Sequence, residues 1–299
     1  MRRKAIFIIN PISGTQTKSG IRFLVEKKLA AANISCVVFP SVASGDYFFL
    51  KEIIDDQHIT DVLIAGGDGT VSQVIGSLLD VQVRFGIIPC GSGNGLALAA
   101  YIPAQPAKAI DIFVKGKSVR TDGFWVNGKF ACMLCGLGFD AKVAQDFANQ
   151  PKRGLTTYIN QVIKNFFSAV TYSFKLKFGN KFIETEAYFI CVANSNQFGN
   201  NFTIAPQANL SDGLLDVVIV TNQNKISVLI QTLIQVTGWN KLEDQTFTAG
   251  KKGVIYFQTD KLTIYNKSDA PLHIDGDPAE TSNKFKFEII PKCFSLIQP

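Results

Sequence analysis

Histidine is nearly absent, with only His58 and His273 in 299 residues. A nitrogen-rich metal centre would have too few ligands. No window approaches the roughly 18 consecutive apolar residues of a membrane-crossing helix. The early apolar run from Ala5 to Ile9 is too short for a secretory h-region and stops at Asn10-Pro11, so it reads as a first buried strand. Lys and Arg form no block and no helical stripe, which argues against nucleic-acid binding despite a formal charge of +6. Only Cys132 and Cys135 form a C-x-x-C, with no second pair and no histidine nearby. The six scattered cysteines predict buried apolar thiols and a reducing compartment. The phosphate-binding run G-x-x-x-x-G-K-[ST] is missing, and no G-x-G-x-x-G follows the first strand. GLGFDA at 136–141 fits the looser G-x-G-x-x-A but lacks a β-α-β context, and reads as a chance match.

What is present is a long chain, a moderate positive charge and much phenylalanine. The length predicts two domains. The charge suits an anionic ligand or an acidic membrane surface. The 24 Phe residues predict an aromatic-rich β core.

Apolar patterning divides the chain. Strand-like runs at 5–9, 34–39, 62–65 and 85–88 alternate with helical stripes. Ile21, Leu24, Val25, Leu29 and Ala32 form one stripe. Phe48, Phe49, Ile53 and Ile54 form a second, and Val71, Val74, Ile75, Leu78 and Leu79 a third. This alternation predicts β-α-β units on a parallel sheet. After about residue 121 the pattern becomes antiparallel β, with hairpin signals at Asn127-Gly128 and Gly179-Asn180. Helical inserts are predicted near 158–169 and 226–236. The expected division is an α/β domain over 1–121 and a β-rich domain over 122–285. The segment YINQVIKNFFSAVTYSFKLKF mixes aromatics with lysines. It reads chiefly as a core helix and strand with exposed lysines, and alternatively as a lipid-skimming mouth.

Three loops follow predicted strands of the first domain: INPISG, GGDGT and IPCGSGNGLA. In a parallel sheet all three emerge at one edge, where ligands bind. Glycine lets backbone amides approach phosphate, and a following helix adds its positive end. Together the loops describe a polyphosphate cradle. Asp68 lies inside it. A carboxylate beside phosphates calls for a cation between them, and Mg²⁺ is the oxygen-seeking choice. By itself, Asp68 would read as a turn aspartate or helix cap.

GGDGT (66–70), NPISG (10–14) and GIIPCGSGNGLA (86–97) resemble the diacylglycerol kinase catalytic-domain superfamily, which includes bacterial lipid kinases, sphingosine kinases and ceramide kinases. TDGFWVNGKFACMLCGLGFDA, FGNNFTIAPQANLSDGLLDVVIV and IDGDP extend the resemblance, in order, over nearly the whole chain. The resemblance implies a phosphofructokinase-like α/β domain, a C-terminal antiparallel β-sandwich, and an active site in the cleft between them. It also implies that the tail, 286–299, returns to the first domain. The implied reaction is ATP- and Mg²⁺-dependent phosphorylation of a lipid hydroxyl, diacylglycerol-like or sphingoid-like. The implied enzyme is cytoplasmic, transiently associated with a membrane surface, and pairs as a homodimer. Its nucleotide loops map to Asn10, Ser13, Gly14, Ser41, Gly66, Gly67, Gly69, Thr70, Gly91, Ser92, Gly93 and Asn94. Its catalytic acids map to Asp68, Asp122 and Asp277, with Asp68 in the Mg²⁺–water network. Asp212 of SDGLLD maps to a structural Mg²⁺ ligand in some members, beside a plain reading as a turn residue.

Two positions depart from the pattern. Gly95 stands where bacterial diacylglycerol kinases commonly carry Asp, and Asp277 stands where Glu is usual. These departures keep open a weakly catalytic lipid or nucleotide sensor. GGDGT is shared with NAD kinases, which is the other enzyme alternative.

Overall fold

The computed structural model describes residues 3–11, 18–150, 157, 161, 164–165, 169–199, 202–221 and 253–299. The first half runs β1 (Lys4–Ile9), α1 (Lys18–Ala31), β2 (Ser35–Pro40), α2 (Leu50–Gln57), β3 (Asp61–Gly66), α3 (Asp68–Ser77), β4 (Arg84–Pro89), α4 (Gly95–Ala99) and α5 (Pro106–Lys115). Its strands are parallel, in the order β2-β1-β3-β4. Every residue of β3 is buried, and Ala5 to Ile8 of β1 are wholly inaccessible. Strands covered on both faces read as unbroken apolar runs for this reason. Each such Val, Leu or Ile stabilises the fold by about 1.5–3 kcal/mol. Of the third stripe, Val71, Val74 and Ile75 are buried on α3 and Leu78 is buried just past its end, while Leu79 is half-buried. α2 starts only at Leu50, so Phe48 and Phe49 lie outside it and are exposed.

The second half comprises β5 (Lys117–Val126), β6 (Lys129–Ala131), β7 (Leu134–Gly138), α6 (Phe139–Ala148), β8 (Tyr172–Phe178), β9 (Lys181–Ala193), β10 (Gln197–Gly199), β11 (Phe202–Thr203) and β12 (Leu215–Thr221). It continues with β13 (Val254–Thr259), β14 (Lys261–Asn266), β15 (Leu272–Ile274), β16 (Asp277–Ala279) and β17 (Lys284–Gln298). Apart from the link between β17 and β4, its pairings are antiparallel. Asn127 and Gly128 both take positive φ, 48° and 80°, in the β5–β6 turn. A second core forms here around Phe124, Phe174, Phe285 and Phe287. The protein is thus an α/β domain with a parallel sheet joined to a β-sandwich-like domain. The predicted insert at 226–236, and nearly all of that at 158–169, lie outside the described residues.

The halves are sewn together by β17. Its first part alternates exposed Lys284, Lys286 and Glu288 with buried Phe285, Phe287 and Ile289, and pairs with β14 and β5. The register shifts between Ile290 and Phe294, and Lys292 takes φ 52°. Such a bulge bends a strand. Beyond it, Ser295 and Leu296 pair in parallel with Arg84 and Phe85 of β4. The first core also takes in Cys132, Met133, Leu134 and Cys191 from the second half. Burial pushes the Cys132, Cys135 and Cys191 thiols well up.

Candidate active site

The carboxyl ends of β1, β2, β3 and β4 lie along one edge, and their loops are tied to each other there. The Ser41 amide donates to the Ile9 carbonyl at 2.9 Å, and the Asn10 amide to the Ala65 carbonyl at 2.9 Å. Asn10 Nδ2 donates to the buried Thr70 Oγ1 at 2.8 Å, joining the first loop to the second. The Cys90 amide donates to the Gly66 carbonyl at 2.9 Å. Gly67 and Gly91 then meet backbone to backbone: a Cβ on Gly91 would fall 2.6 Å from the Gly67 Cα. Only glycine permits this approach. Asn94, in the left-handed region at φ 56°, folds its side chain back on Gly91. Its Oδ1 accepts from the Gly91 amide at 2.7 Å, and its Nδ2 donates to the Gly91 carbonyl at 2.8 Å. Asn94 therefore shapes the third loop with its whole amide group. Ser92 and Gly93 are half-buried on that loop. Ser13 and Gly14 lie outside the described residues.

Asp68 opens α3 and bridges two of these loops. Its Oδ2 accepts from the Gly95 amide at 3.1 Å. Burial pushes its carboxyl up to about 7. The Asp275 charge adds to the rise, while the amides of Gly95, Leu96 and Asn94 oppose it. At Gly95 a side chain has no room, since a Cβ would meet Met133 Cε at 2.5 Å and the Gln197 carbonyl oxygen at 2.9 Å. The departure from the family pattern is thus matched by groups from β10 and the β6–β7 turn.

The second half closes over this edge with the β15–β16 hairpin. Asp275 and Gly276 take φ 49° and 85°, the two positive values of a tight type I′ turn. The Asp275 side chain is nearly wholly buried, and its carboxylate accepts from three consecutive amides: Cys132 at 3.0 Å, Met133 at 3.0 Å and Leu134 at 2.9 Å. Ser72, one turn along α3 from Asp68, faces the same carboxylate and favours its charged form. Burial pushes Asp275 up, and these donors oppose the rise. Asp277 follows the turn, exposed, with its carboxylate seated on the Cα of Gly69. A Cβ on Gly69 would lie 2.8 Å from Asp277 Cγ and closer still to Oδ2. The structure thus brings Asp277 to the residue beside Asp68.

Asp122 is placed differently. It is wholly buried in β5. Its Oδ1 accepts from the Lys292 amide at 2.6 Å and its Oδ2 from the Gly213 amide at 2.7 Å. Both oxygens are committed to backbone, and one of them fixes the bulge where β17 crosses between halves. Asp212 accepts from the Leu214 amide at 3.0 Å in an exposed turn before β12, the geometry of its turn reading. Among the described residues no three His, Cys, Asp or Glu side chains gather as a metal cage. The residues not expected to shape this site are Ser72, Met133, Gln197 and Asp275. Ser72 had a readable signal, its i+4 spacing from Asp68. Gln197 and Met133 had none.

Comparison with known proteins follows the same division. Residues 4–126 match the diacylglycerol kinase catalytic domain, and residues 134–298 match the YegS C-terminal NAD kinase beta sandwich-like domain. A diacylglycerol kinase of Bacillus subtilis is 24% identical over 294 residues, 95% of this chain and 94% of that one. One of Staphylococcus carnosus is 22% identical over 281 residues, 93% and 89% of the two chains. The crystal structure of a diacylglycerol kinase from Bacillus anthracis superposes with a TM-score of 0.77 at 19% identity, covering 99% of this chain and 97% of that one. That likeness carries the fold alone. The two family matches, end to end over nearly all of the sequence, make this chain a member of the diacylglycerol kinase catalytic-domain superfamily and a lipid kinase.

Proposed function

We propose that the protein transfers the γ-phosphate of ATP to the hydroxyl of a diacylglycerol-like lipid, with Mg²⁺ at the transferring phosphate. The observation that carries this reading is the seating of Asp277 on Gly69, next to Asp68 and beside the Gly67–Gly91 contact. A glycine-lined edge offers phosphate a close backbone approach, and the two acids flank the place where the terminal phosphate would lie. Phosphoryl transfer asks a protein chiefly for position and charge stabilisation. Asp277, exposed above the edge, orients the acceptor hydroxyl and takes its proton.

The residues fit Mg²⁺ bound as it commonly is, by one or two carboxylates together with phosphate oxygens and water. Asp68 is a half-buried carboxylate lifted towards neutrality by desolvation and by Asp275, and a divalent cation beside it would restore its charge. Bound there, Mg²⁺ supplies neutralisation of the phosphate oxygens. Asp122 supports the wall behind the site through its two amide bonds. Diacylglycerol is the named substrate of the relatives from Bacillus subtilis and Staphylococcus carnosus, which supports that acceptor class. Such a lipid is met at a membrane surface. Among the described residues no helix is long and apolar enough to cross a membrane, so the proposed association is peripheral.

The test is transfer of label from γ-labelled ATP, with Mg²⁺, to a panel of diacylglycerol, sphingoid base, ceramide and NAD. Labelled phosphatidic acid is the expected product. Label in NAD alone, or tight ATP binding with no labelled product, would overturn the proposal.

A further inference from the structure

The GLGFDA segment, set aside above as a chance match, supplies one member of a buried pair: its Asp140 faces His273. His273 lies in β15, wholly buried, directly opposite Gly136 of β7. Its Nδ1 accepts from the Gly276 amide at 3.3 Å. Nδ1 therefore carries no proton, and the ring proton sits on Nε2. Nε2 faces Asp140 Oδ2 at 3.4 Å. The other Asp140 oxygen, Oδ1, accepts from the Ala141 amide at 2.8 Å at the start of α6. Gly136 makes the slot in which imidazole and carboxylate meet: a Cβ there would lie 2.5 Å from Asp140 Cγ and would strike His273 Nε2.

From this geometry we infer that His273 and Asp140 are positioning residues, which set the β15–β16 turn through the Gly276 amide and so hold Asp277 over Gly69. The inference rests on the site reading above and extends it to residues that touch neither phosphate nor lipid. The turn is gripped twice. The amides of 132–134 fix the Asp275 carboxylate, and His273 fixes the next peptide, Gly276. Asp277 is the residue after that. Asp140 orients the ring, as a carboxylate behind a histidine commonly does. Without His273, the Asp275 clamp still anchors one end of the turn, but the Gly276 peptide is free to rotate and carry Asp277 with it. A displacement of about 1 Å in a positioning group can cost about 100-fold in rate.

The experiment uses the full chain and three variants. His273→Leu removes the acceptor. His273→Asn places an oxygen where Nδ1 stood. Asp140→Asn keeps the shape and loses the charge. Two quantities are read: kcat and KM for ATP with the lipid acceptor, and hydrogen exchange at the Gly276 amide. His273→Leu is expected to lower kcat about 10- to 100-fold with KM for ATP within about twofold, and to speed Gly276 exchange. His273→Asn is expected to recover most of both, and Asp140→Asn to fall between. If His273→Leu does not fold, wild type, Asn and Asp140→Asn still form the series. Equal exchange at Gly276 in wild type, Leu and Asp140→Asn would overturn the inference, as would equal losses of kcat in the Leu and Asn variants. If the wild type labels no lipid, the kinase reading fails by itself, and Gly276 exchange still decides the role of His273.

Discussion

The two walls of the site are built on opposite plans. The α/β wall is made of backbone: Gly67 and Gly91 touch Cα to Cα, and Asn94 spends its side chain on its own loop. The β wall is made of carboxylates on a turn: Asp275 is clamped by three amides, and Asp277 is held out over Gly69. In the proposed reaction, one wall presents surface that a polyanion can approach, and the other presents an acid to the reacting group. Two aspartates only two residues apart in the turn do different work, because one faces the amides of 132–134 and the other the open edge.

That contrast can be broken by substitution. Asp68→Ala has the largest expected effect, a loss of transfer of about 10³-fold with the thermal midpoint little changed, read from kcat and a melting curve. An unaltered kcat would remove Asp68 from the site. Asp275→Ala acts on the fold instead. It leaves three buried amides without an acceptor and is expected to cost about 3 kcal/mol or more in denaturant unfolding. Gly69→Ala tests the contact between the walls. Its methyl collides with the Asp277 carboxylate, so transfer is expected to drop about 10- to 100-fold while ATP binding, followed by calorimetry, is retained. Gly95→Ala sharpens the role of the neighbours that fill its place. Overpacking against Met133 and the Gln197 carbonyl is expected to cost about 1–3 kcal/mol, with partial relief from Met133→Ala because a flexible side chain yields where a backbone oxygen does not. Asn94→Ala is the smallest, about 1–2 kcal/mol, from a left-handed conformation that alanine tolerates poorly.

The backbone wall was largely legible in the sequence. Strand periodicity placed the loops at one edge, and runs such as GGDGT announced a close approach, because both signals are local. The carboxylate wall was legible only in part. Asp275-Gly276 reads as a hairpin turn, but the amides that receive Asp275 lie more than 140 residues earlier in the chain. Asp122 has its two partners 91 and 170 residues away, so nothing near it in sequence shows that both oxygens are taken. His273 and Asp140 face each other only because Gly136 leaves the space. The Gly95 departure looked like a missing acid, and only packing shows Met133 and Gln197 closing the place where a side chain would go.

The most direct test is a crystal structure of the protein with a non-hydrolysable ATP analogue and Mg²⁺. The account predicts the triphosphate along the 66–70 and 91–94 backbone, its terminal phosphate lying between Asp68 and Asp277. A triphosphate bound at another edge, or one whose terminal phosphate points away from both carboxylates, would contradict it.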